Sequence, residues 1–84
     1  MKHISYPTQG TCCKLIDLTV DDNDRVDEVR FLGGCNGNLQ GIAHLIKGMA
    51  VDDVIKRLRG IRCGAKATSC PDQLSRALEE VKKQ

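Results

Sequence analysis

The spacing of apolar residues changes once along this chain, and that change limits the folds it can adopt. Ile16, Leu18 and Val20 alternate with polar residues, as in a strand with one buried face, and Val29 and Phe31 share one face of a return strand. Further along, apolar residues recur every three or four positions, which is typical of helices packed on one side. Strands followed by helices predict an α+β fold, with the helices on one face of an antiparallel sheet.

Glycine, proline and acidic residues mark the ends of the predicted elements. Gly48 and Gly60 each follow a helical pattern, and a Ser69–Asp72 capping-box pattern with Pro71 in the first turn opens the last helix. The run Asp21–Asp24 predicts the turn of a hairpin. We therefore expect a two- or three-stranded antiparallel sheet followed by three helices: strands over Lys2–Thr8, Thr11–Val20 and Arg25–Leu32, and helices over Asn38–Lys47, Val51–Arg59 and from Ser69 or Cys70 onward.

The length of 84 residues predicts one domain over residues 1–84 with a small core. Aromatic residues make up only 2% of the chain, so the core must be built from aliphatic side chains. A metal, an oligomer contact or a partner protein usually supports so small a core. The sequence does not fix the oligomeric state.

Charge and hydropathy argue against two classes of function. The net charge is +2 and no basic block is interleaved with aromatic residues, which argues against dedicated nucleic-acid binding. No apolar run approaches the ~20 residues of a membrane span, and the N-terminal segment lacks the apolar stretch of a signal peptide. We therefore expect a cytoplasmic, reducing location and no membrane partner.

The cysteine thiols are the main reactive and metal-ligating groups of the chain. It has five cysteines, an odd number, and without a secretory signal this argues against a disulfide framework. Metal ligation, thiol chemistry and plain burial all stay open, because no C-x-x-C pair is present. Four of the cysteines lie beside glycine-rich turns or at the start of a helix, where the thiolate form is stabilised: Cys12, Cys35, Cys63 and Cys70.

The fifth cysteine, Cys13, follows Cys12 directly in a predicted strand. Neighbouring residues of a strand face opposite sides of the sheet, so only one of the two is expected to join a shared site. We favour Cys12, because it lies next to the turn at Gly10.

The segment between the last strand and the first helix has a second interpretation. Its backbone N–H groups could hold a phosphate at the start of the helix, although it matches no established phosphate-binding pattern. A plain glycine-rich turn between a strand and a helix is the more common explanation of such a segment. The candidate nucleotide-binding residues are Gly34, Asn36, Gly37 and Asn38.

Three motifs carry a resemblance to a known family. The run Thr68–Asp72 reads Thr-Ser-Cys-Pro-Asp, and the segments Gly33–Asn38 and Gly60–Gly64 extend the similarity over most of the chain. The chain resembles a stand-alone member of the TSCPD domain family, which also occurs at the C-terminus of adenosylcobalamin-dependent ribonucleotide reductases. The resemblance implies a link to ribonucleotide reduction, and the family's cysteines correspond to Cys12, Cys35, Cys63 and Cys70.

A weaker resemblance is to the iron–sulfur cluster assembly scaffold proteins. It rests on the order of the elements and on the positions of three cysteines. Cys12 precedes the first core strand, Cys35 follows the strand end that begins at Phe31, and Cys70 opens the last helix. This chain departs from that pattern at Lys14 and Ser69, where the scaffolds have Asp and His, and Cys63 has no counterpart there. The resemblance implies a similar fold in which Cys12, Cys35 and Cys70 converge at one end, with Cys63 completing a set of four thiolates.

Together these observations lead to one functional hypothesis with three alternatives. We expect a cysteine-rich module that binds zinc or an iron–sulfur cluster through the four thiolates and supports ribonucleoside-diphosphate reduction and deoxyribonucleotide supply. The alternatives are a thiol redox carrier for a reductase that uses Cys63 and Cys70, a nucleotide-binding regulatory module, and a scaffold-like iron–sulfur protein. Kinship points to an oxidoreductase, yet the chain is too small to be a complete reductase, so a reductase or another protein is the expected partner.

Overall fold

The computed structural model describes residues 1–11, 13–33 and 36–84, and it confirms the α+β fold. A three-stranded antiparallel sheet precedes three helices, and most of the predicted bounds are correct to within two residues. The elements are β1 (Lys2–Pro7), β2 (Cys13–Val20), β3 (Val26–Gly33), α1 (Asn36–Ile46), α2 (Val51–Leu58) and α3 (Cys70–Lys82).

The sheet has the order β1-β2-β3, so β2 is its central strand. Its register aligns apolar residues across all three strands: Ile4 pairs with Leu18, which pairs with Val29. The predicted alternation is confirmed, because Ile16, Leu18 and Val20 are buried while Asp17 and Thr19 are partly exposed. One face of the sheet is therefore a continuous apolar surface.

A β-bulge near the start of β2 changes which face its first residues occupy. Cys13 pairs with Gly33 and Leu15 pairs with Leu32, so two steps along β2 correspond to one step along β3. Such an extra residue interrupts the strict alternation of a strand. As a result Cys13 is buried on the core side while Lys14 is exposed, the reverse of what alternation from Ile16 would require.

The helices cover the apolar face of the sheet. Helix α3 packs on β1 and β2, α1 packs on β3, and α2 packs against α3. The inner face of α3 is completely buried at Leu74, Leu78 and Val81, and burying each such side chain contributes roughly 1.5–3 kcal/mol. The described part of the chain contains no helix with the length and apolarity that a membrane span requires.

The acidic turn after β2 is a structural turn. The carboxylate of Asp21 accepts hydrogen bonds from the backbone N–H groups of Asn23 and Arg25, which closes the turn locally. The backbone N–H of Val51 then donates to the carbonyl of Asp24 at 2.9 Å and fixes the start of α2. This end of the molecule is held together by main-chain hydrogen bonds, and Cys13, at the start of β2, lies at the other end of the sheet.

Candidate thiol site at the start of the last helix

The start of α3 is built by the residues of the Thr68–Asp72 motif. Ser69 is the N-cap residue, and its hydroxyl accepts a hydrogen bond from the backbone N–H of Asp72. The same hydroxyl donates to the carbonyl of Ile61 at 2.6 Å. Pro71 lies in the first turn, where its missing N–H costs nothing. One half of the predicted capping box is thus confirmed, and the hydroxyl also ties the helix to the preceding loop.

The other half of the predicted capping box is wrong, because the Asp72 carboxylate has different partners. It accepts hydrogen bonds from the hydroxyl of Thr68 and from the backbone N–H of Gly60, and it forms an ion pair with Arg76 at 3.2 Å. Burial by itself raises the pKa of Asp72, but these hydrogen bonds and the Arg76 charge outweigh it, so the pKa lies below its usual value. The buried side chain is therefore held as a carboxylate.

A chain of hydrogen bonds extends from Asp72 to the first hairpin. The Thr68 hydroxyl accepts from Nε2 of Gln73 at 3.0 Å, and Oε1 of Gln73 accepts from the backbone N–H of Gln9 at 3.2 Å. Thr68 and Gln73 are both buried. Buried polar networks of this kind are stable only when each member is satisfied, and the described buried side-chain nitrogen and oxygen atoms all have partners. The network fixes the loop between β1 and β2 against the start of α3.

Cys70 opens α3 and faces this loop. Its Sγ lies 2.8 Å from Oγ1 of Thr11, and its side chain packs in a small buried cluster with Cys13 and Leu39. Burial, followed by the hydrogen bond and charge of Cys70, raises the pKa of the Cys13 thiol to about 11. Helix α3 therefore presents one sulfur to a second sulfur from β2, in surroundings that keep Cys13 protonated.

Cys63 lies in an exposed loop that is closed at its base beside the same helix. Its backbone N–H donates to the carbonyl of Thr68 at 3.2 Å, and its carbonyl accepts from the N–H of Lys66. Gly64 has a φ of +59°, which the tight turn requires and which side-chain-bearing residues rarely adopt. The side chains of Arg62 and Lys66 are exposed on either side of Cys63. The structure thus places Cys63 near the start of α3 through the backbone and leaves its side chain open to solvent.

Several predicted site residues fall outside the described residues, namely Cys12, Cys35 and Gly34. Cys13 adjoins Cys12 and Gly33 adjoins Gly34 in the chain, and these two described residues pair with each other in the sheet. The nucleotide-binding candidates Asn36, Gly37 and Asn38 form the first turn of α1, so this helix begins two residues earlier than predicted. Gly37 and Asn38 are exposed there, and nucleotide binding by this turn stays a prediction.

The described residues include only part of the predicted set of metal ligands. Over 1–11, 13–33 and 36–84, no three His, Cys, Asp or Glu side chains are grouped so as to hold a metal ion. Two of the four predicted ligands, Cys12 and Cys35, lie outside those ranges. The donor chemistry nevertheless fits the predicted groups, because zinc and iron–sulfur clusters both bind thiolates.

Two residues of this end were not singled out as site residues from the sequence. Strict alternation turns Cys13 away from Cys12, and the residues Lys14 and Leu15 do not indicate the bulge in β2 that brings Cys13 inward. The sequence pattern predicts only a local capping role for Asp72, whereas its carboxylate accepts a hydrogen bond from Gly60 across the loop. In the sequence, this contact between Asp72 and the loop is indicated only by the presence of an Asp in the motif that opens α3.

These observations define a class of protein: a small α+β domain in which a cysteine opens the last helix. A buried carboxylate stabilises the start of that helix. The family model of the TSCPD domain matches residues 1–82. The chain therefore belongs to the TSCPD domain family, as its motifs predicted. No curated protein and no solved structure matches the chain, so the likeness to the iron–sulfur scaffold fold stays a prediction.

Proposed function

We propose that this chain is a metal-binding module that works with a ribonucleotide reductase. In this proposal Cys12, Cys35, Cys63 and Cys70 hold zinc or an iron–sulfur cluster, and the module supports ribonucleoside-diphosphate reduction without catalysing it alone. Family membership supports the link to reductases, because the TSCPD domain is associated with them. Four thiolates around one zinc form a closed tetrahedral site, whose contribution is structural.

The observation that carries the metal proposal is the meeting of chain segments at one end of the sheet. Cys70 lies at the start of α3, and the base of the Cys63 loop is bonded to Thr68, two residues before it. The pairing of Cys13 with Gly33 joins the strand ends that adjoin Cys12 and Cys35 in the sequence. All four cysteines thus belong to segments whose described parts converge at this end.

The local environment also supports thiolate ligands. Cys70 lies at the positive dipole end of α3, which stabilises negative charge on sulfur. The exposed side chains of Arg62 and Lys66, which flank Cys63 in the chain, add positive charge near the proposed site. Four thiolates on a divalent metal carry a net negative charge, and these positive groups would offset it.

Cobalt substitution tests the metal site. Co²⁺ bound by four thiolates gives intense sulfur-to-metal charge-transfer absorption together with the visible bands of a tetrahedral ion. We expect these bands on titration of the reduced chain with Co²⁺, and their loss in Cys63→Ser, a substitution at an exposed side chain with little effect on folding. Cys13→Ser is the matched control and should keep the bands. Their absence from the unsubstituted chain, or identical bands in Cys63→Ser, would contradict the proposed ligand set.

Complementation tests the link to ribonucleotide reduction. An adenosylcobalamin-dependent reductase from which its own C-terminal TSCPD domain has been deleted should bind this chain when it is added in trans, and should regain activity. The Cys63→Ser variant is the control and should restore less. If the chain neither binds the reductase nor restores its activity, the proposed reductase role is contradicted. The metal site is tested separately by the cobalt titration.

A further inference from the structure

The proposed function leaves one buried cysteine without a role. Cys13 is not among the proposed metal ligands, yet it lies against Cys70 in a cluster that also contains Leu39. The exposed fractions of Cys13 and Cys70 are 2% and 6%, and both side chains pack in this one buried cluster. Two thiols far apart in the sequence have thus been brought into contact by the fold.

Both partners are fixed in position by their surroundings. The backbone of Cys13 is held by its pairing with Gly33 and by the Thr8 hydroxyl, which donates to the Cys13 carbonyl. Cys70 is the first residue of α3, behind the Ser69 cap, and Oγ1 of Thr11 contacts its sulfur. Reacting groups held in contact in this way have a high effective concentration toward each other.

The geometry points to a reversible disulfide between Cys13 and Cys70 in the metal-free chain. This inference goes beyond the proposed function and does not rest on it, because it concerns the two sulfurs that the described structure brings together. It also replaces the pair predicted for a redox carrier, since Cys63 has an exposed side chain whose described bonds are made by its backbone. Because Cys13 packs against Cys70 in the folded chain, Cys13 rather than Cys63 is the expected disulfide partner of Cys70.

The reaction is a thiol–disulfide exchange with a low-molecular-weight disulfide such as oxidised glutathione. One protein sulfur, as the thiolate, attacks a sulfur of the small disulfide, so that a mixed disulfide forms and one small thiolate leaves. The second protein thiol then loses its proton and attacks the mixed disulfide at the protein sulfur, and the second small thiolate leaves. The two leaving thiolates take up the two protons, so that the protein loses two hydrogen atoms and the small disulfide is reduced to two thiols.

Folding should favour this disulfide over others. In the folded chain the second step is intramolecular between groups already in contact, whereas in the unfolded chain a long loop must close first. The bond is therefore expected in native conditions, and pairing should become unselective in concentrated urea. A cross-link between β2 and α3 would also raise the midpoint of thermal unfolding.

Peptide mapping tests the inference with the 84-residue chain. The protein is equilibrated in a chelator-containing glutathione redox buffer, free thiols are blocked by alkylation, and the sample is digested with trypsin. Cleavage separates the relevant cysteines into distinct peptides, except that Cys12 and Cys13 share the peptide His3–Lys14. Cys70 lies in the peptide Ala67–Arg76 and Cys63 in Cys63–Lys66.

The expected product is the peptide His3–Lys14 linked to Ala67–Arg76. The link should persist in Cys12→Ser and in Cys63→Ser, disappear in Cys13→Ser, and be released by reduced glutathione. A link that survives Cys13→Ser, a link of Cys70 to another cysteine, or no link in the unsubstituted chain would each overturn the inference. Should Cys13→Ser fail to fold, persistence of the link in Cys12→Ser assigns it to Cys13 on its own, and loss of the link there rejects it.

Discussion

The carboxylate of Asp72 accepts a hydrogen bond from the backbone N–H of Gly60, with 2.8 Å between oxygen and nitrogen. This bond joins the turn that follows α2 to the first turn of α3. The acidic residue that ends the family motif therefore positions the loop that carries Cys63 as well as the helix that carries Cys70.

The first prediction concerns the substitution Asp72→Asn. The amide keeps one acceptor oxygen but loses the charge that Thr68, Gly60 and Arg76 stabilise, and the side chain is buried. Hydrogen bonds to buried charged groups contribute about 1.5–3 kcal/mol, so the free energy of unfolding should fall by about that amount. Urea denaturation measures the change, and Asp53→Asn on the exposed face of α2 is the control, expected within about 0.5 kcal/mol of the parent. An equal effect of both substitutions would contradict this role of Asp72.

The second prediction concerns acid. The pKa of Asp72 in the folded chain lies below its usual value, because its hydrogen bonds and Arg76 outweigh the effect of burial. The stabilisation by this carboxylate is therefore fully present above the unfolded pKa of about 3.9 and is lost as the pH falls through the lower folded pKa. The stability difference between the parent chain and Asp72→Asn should be constant near neutral pH and shrink in strong acid. A difference that grew with acid would mean that the folded pKa is raised.

The third prediction concerns the helix cap. Ser69→Ala removes the acceptor for the N–H of Asp72 and the donor to the carbonyl of Ile61. Loss of an N-cap typically costs about 1 kcal/mol and up to about 2, and the added loss of the Ile61 bond places this substitution at the upper end. Thermal unfolding measures it. Ser5→Ala removes an exposed hydrogen bond to Asp17 and should have a much smaller effect. Comparable losses would show that the cap is unimportant.

The fourth prediction concerns Gly10 in the loop between β1 and β2. Its φ is +75°, and a Cβ there would lie 3.1 Å from Cγ2 of Thr68. Gly10→Ala should therefore destabilise the chain by about 1–3 kcal/mol through backbone strain, with a further contribution from this close contact. Gly48→Ala is the matched control, because its φ is +85° but nothing lies within 4 Å of the added Cβ.

A double-substitution cycle isolates the contact with Thr68. Thr68→Ser removes the methyl group and keeps the hydroxyl that donates to Asp72. In that background Gly10→Ala should cost less, by about 0.5 kcal/mol or more, as expected for residues in contact. Strict additivity would indicate that the loop has shifted away from α3 and that the packing between them contributes little.

The order and type of the elements followed from the sequence because each has a strong local pattern. The alternation in β2 and the helical spacing in α2 are set by the apolar face that each element buries. Helix α1 begins two residues before its predicted start, because Gly37 is a poor helix former and its presence favours a loop interpretation. Packing of α1 on β3, through residues such as Leu39 and Ile42, overrides that local preference.

The thiol site was less predictable because it depends on contacts between distant segments. The helix start at Ser69 could be read locally, and the structure confirms it. The inward position of Cys13 depends on a bulge in the pairing of β2 with β3, for which the residues around it carry no pattern. The partner of the Asp72 carboxylate, Gly60, is likewise chosen by the way α2 packs against α3.

Metal analysis of anaerobically purified protein, with a thiol count on the same sample, tests the central claim most directly. The account predicts about one zinc ion or one iron–sulfur cluster per chain. It also predicts that Cys12, Cys35, Cys63 and Cys70 resist alkylation until a chelator or acid releases the metal. A metal-free preparation in which exposed Cys63 is alkylated at once, with no change when zinc or iron and sulfide are supplied, would contradict the metal module.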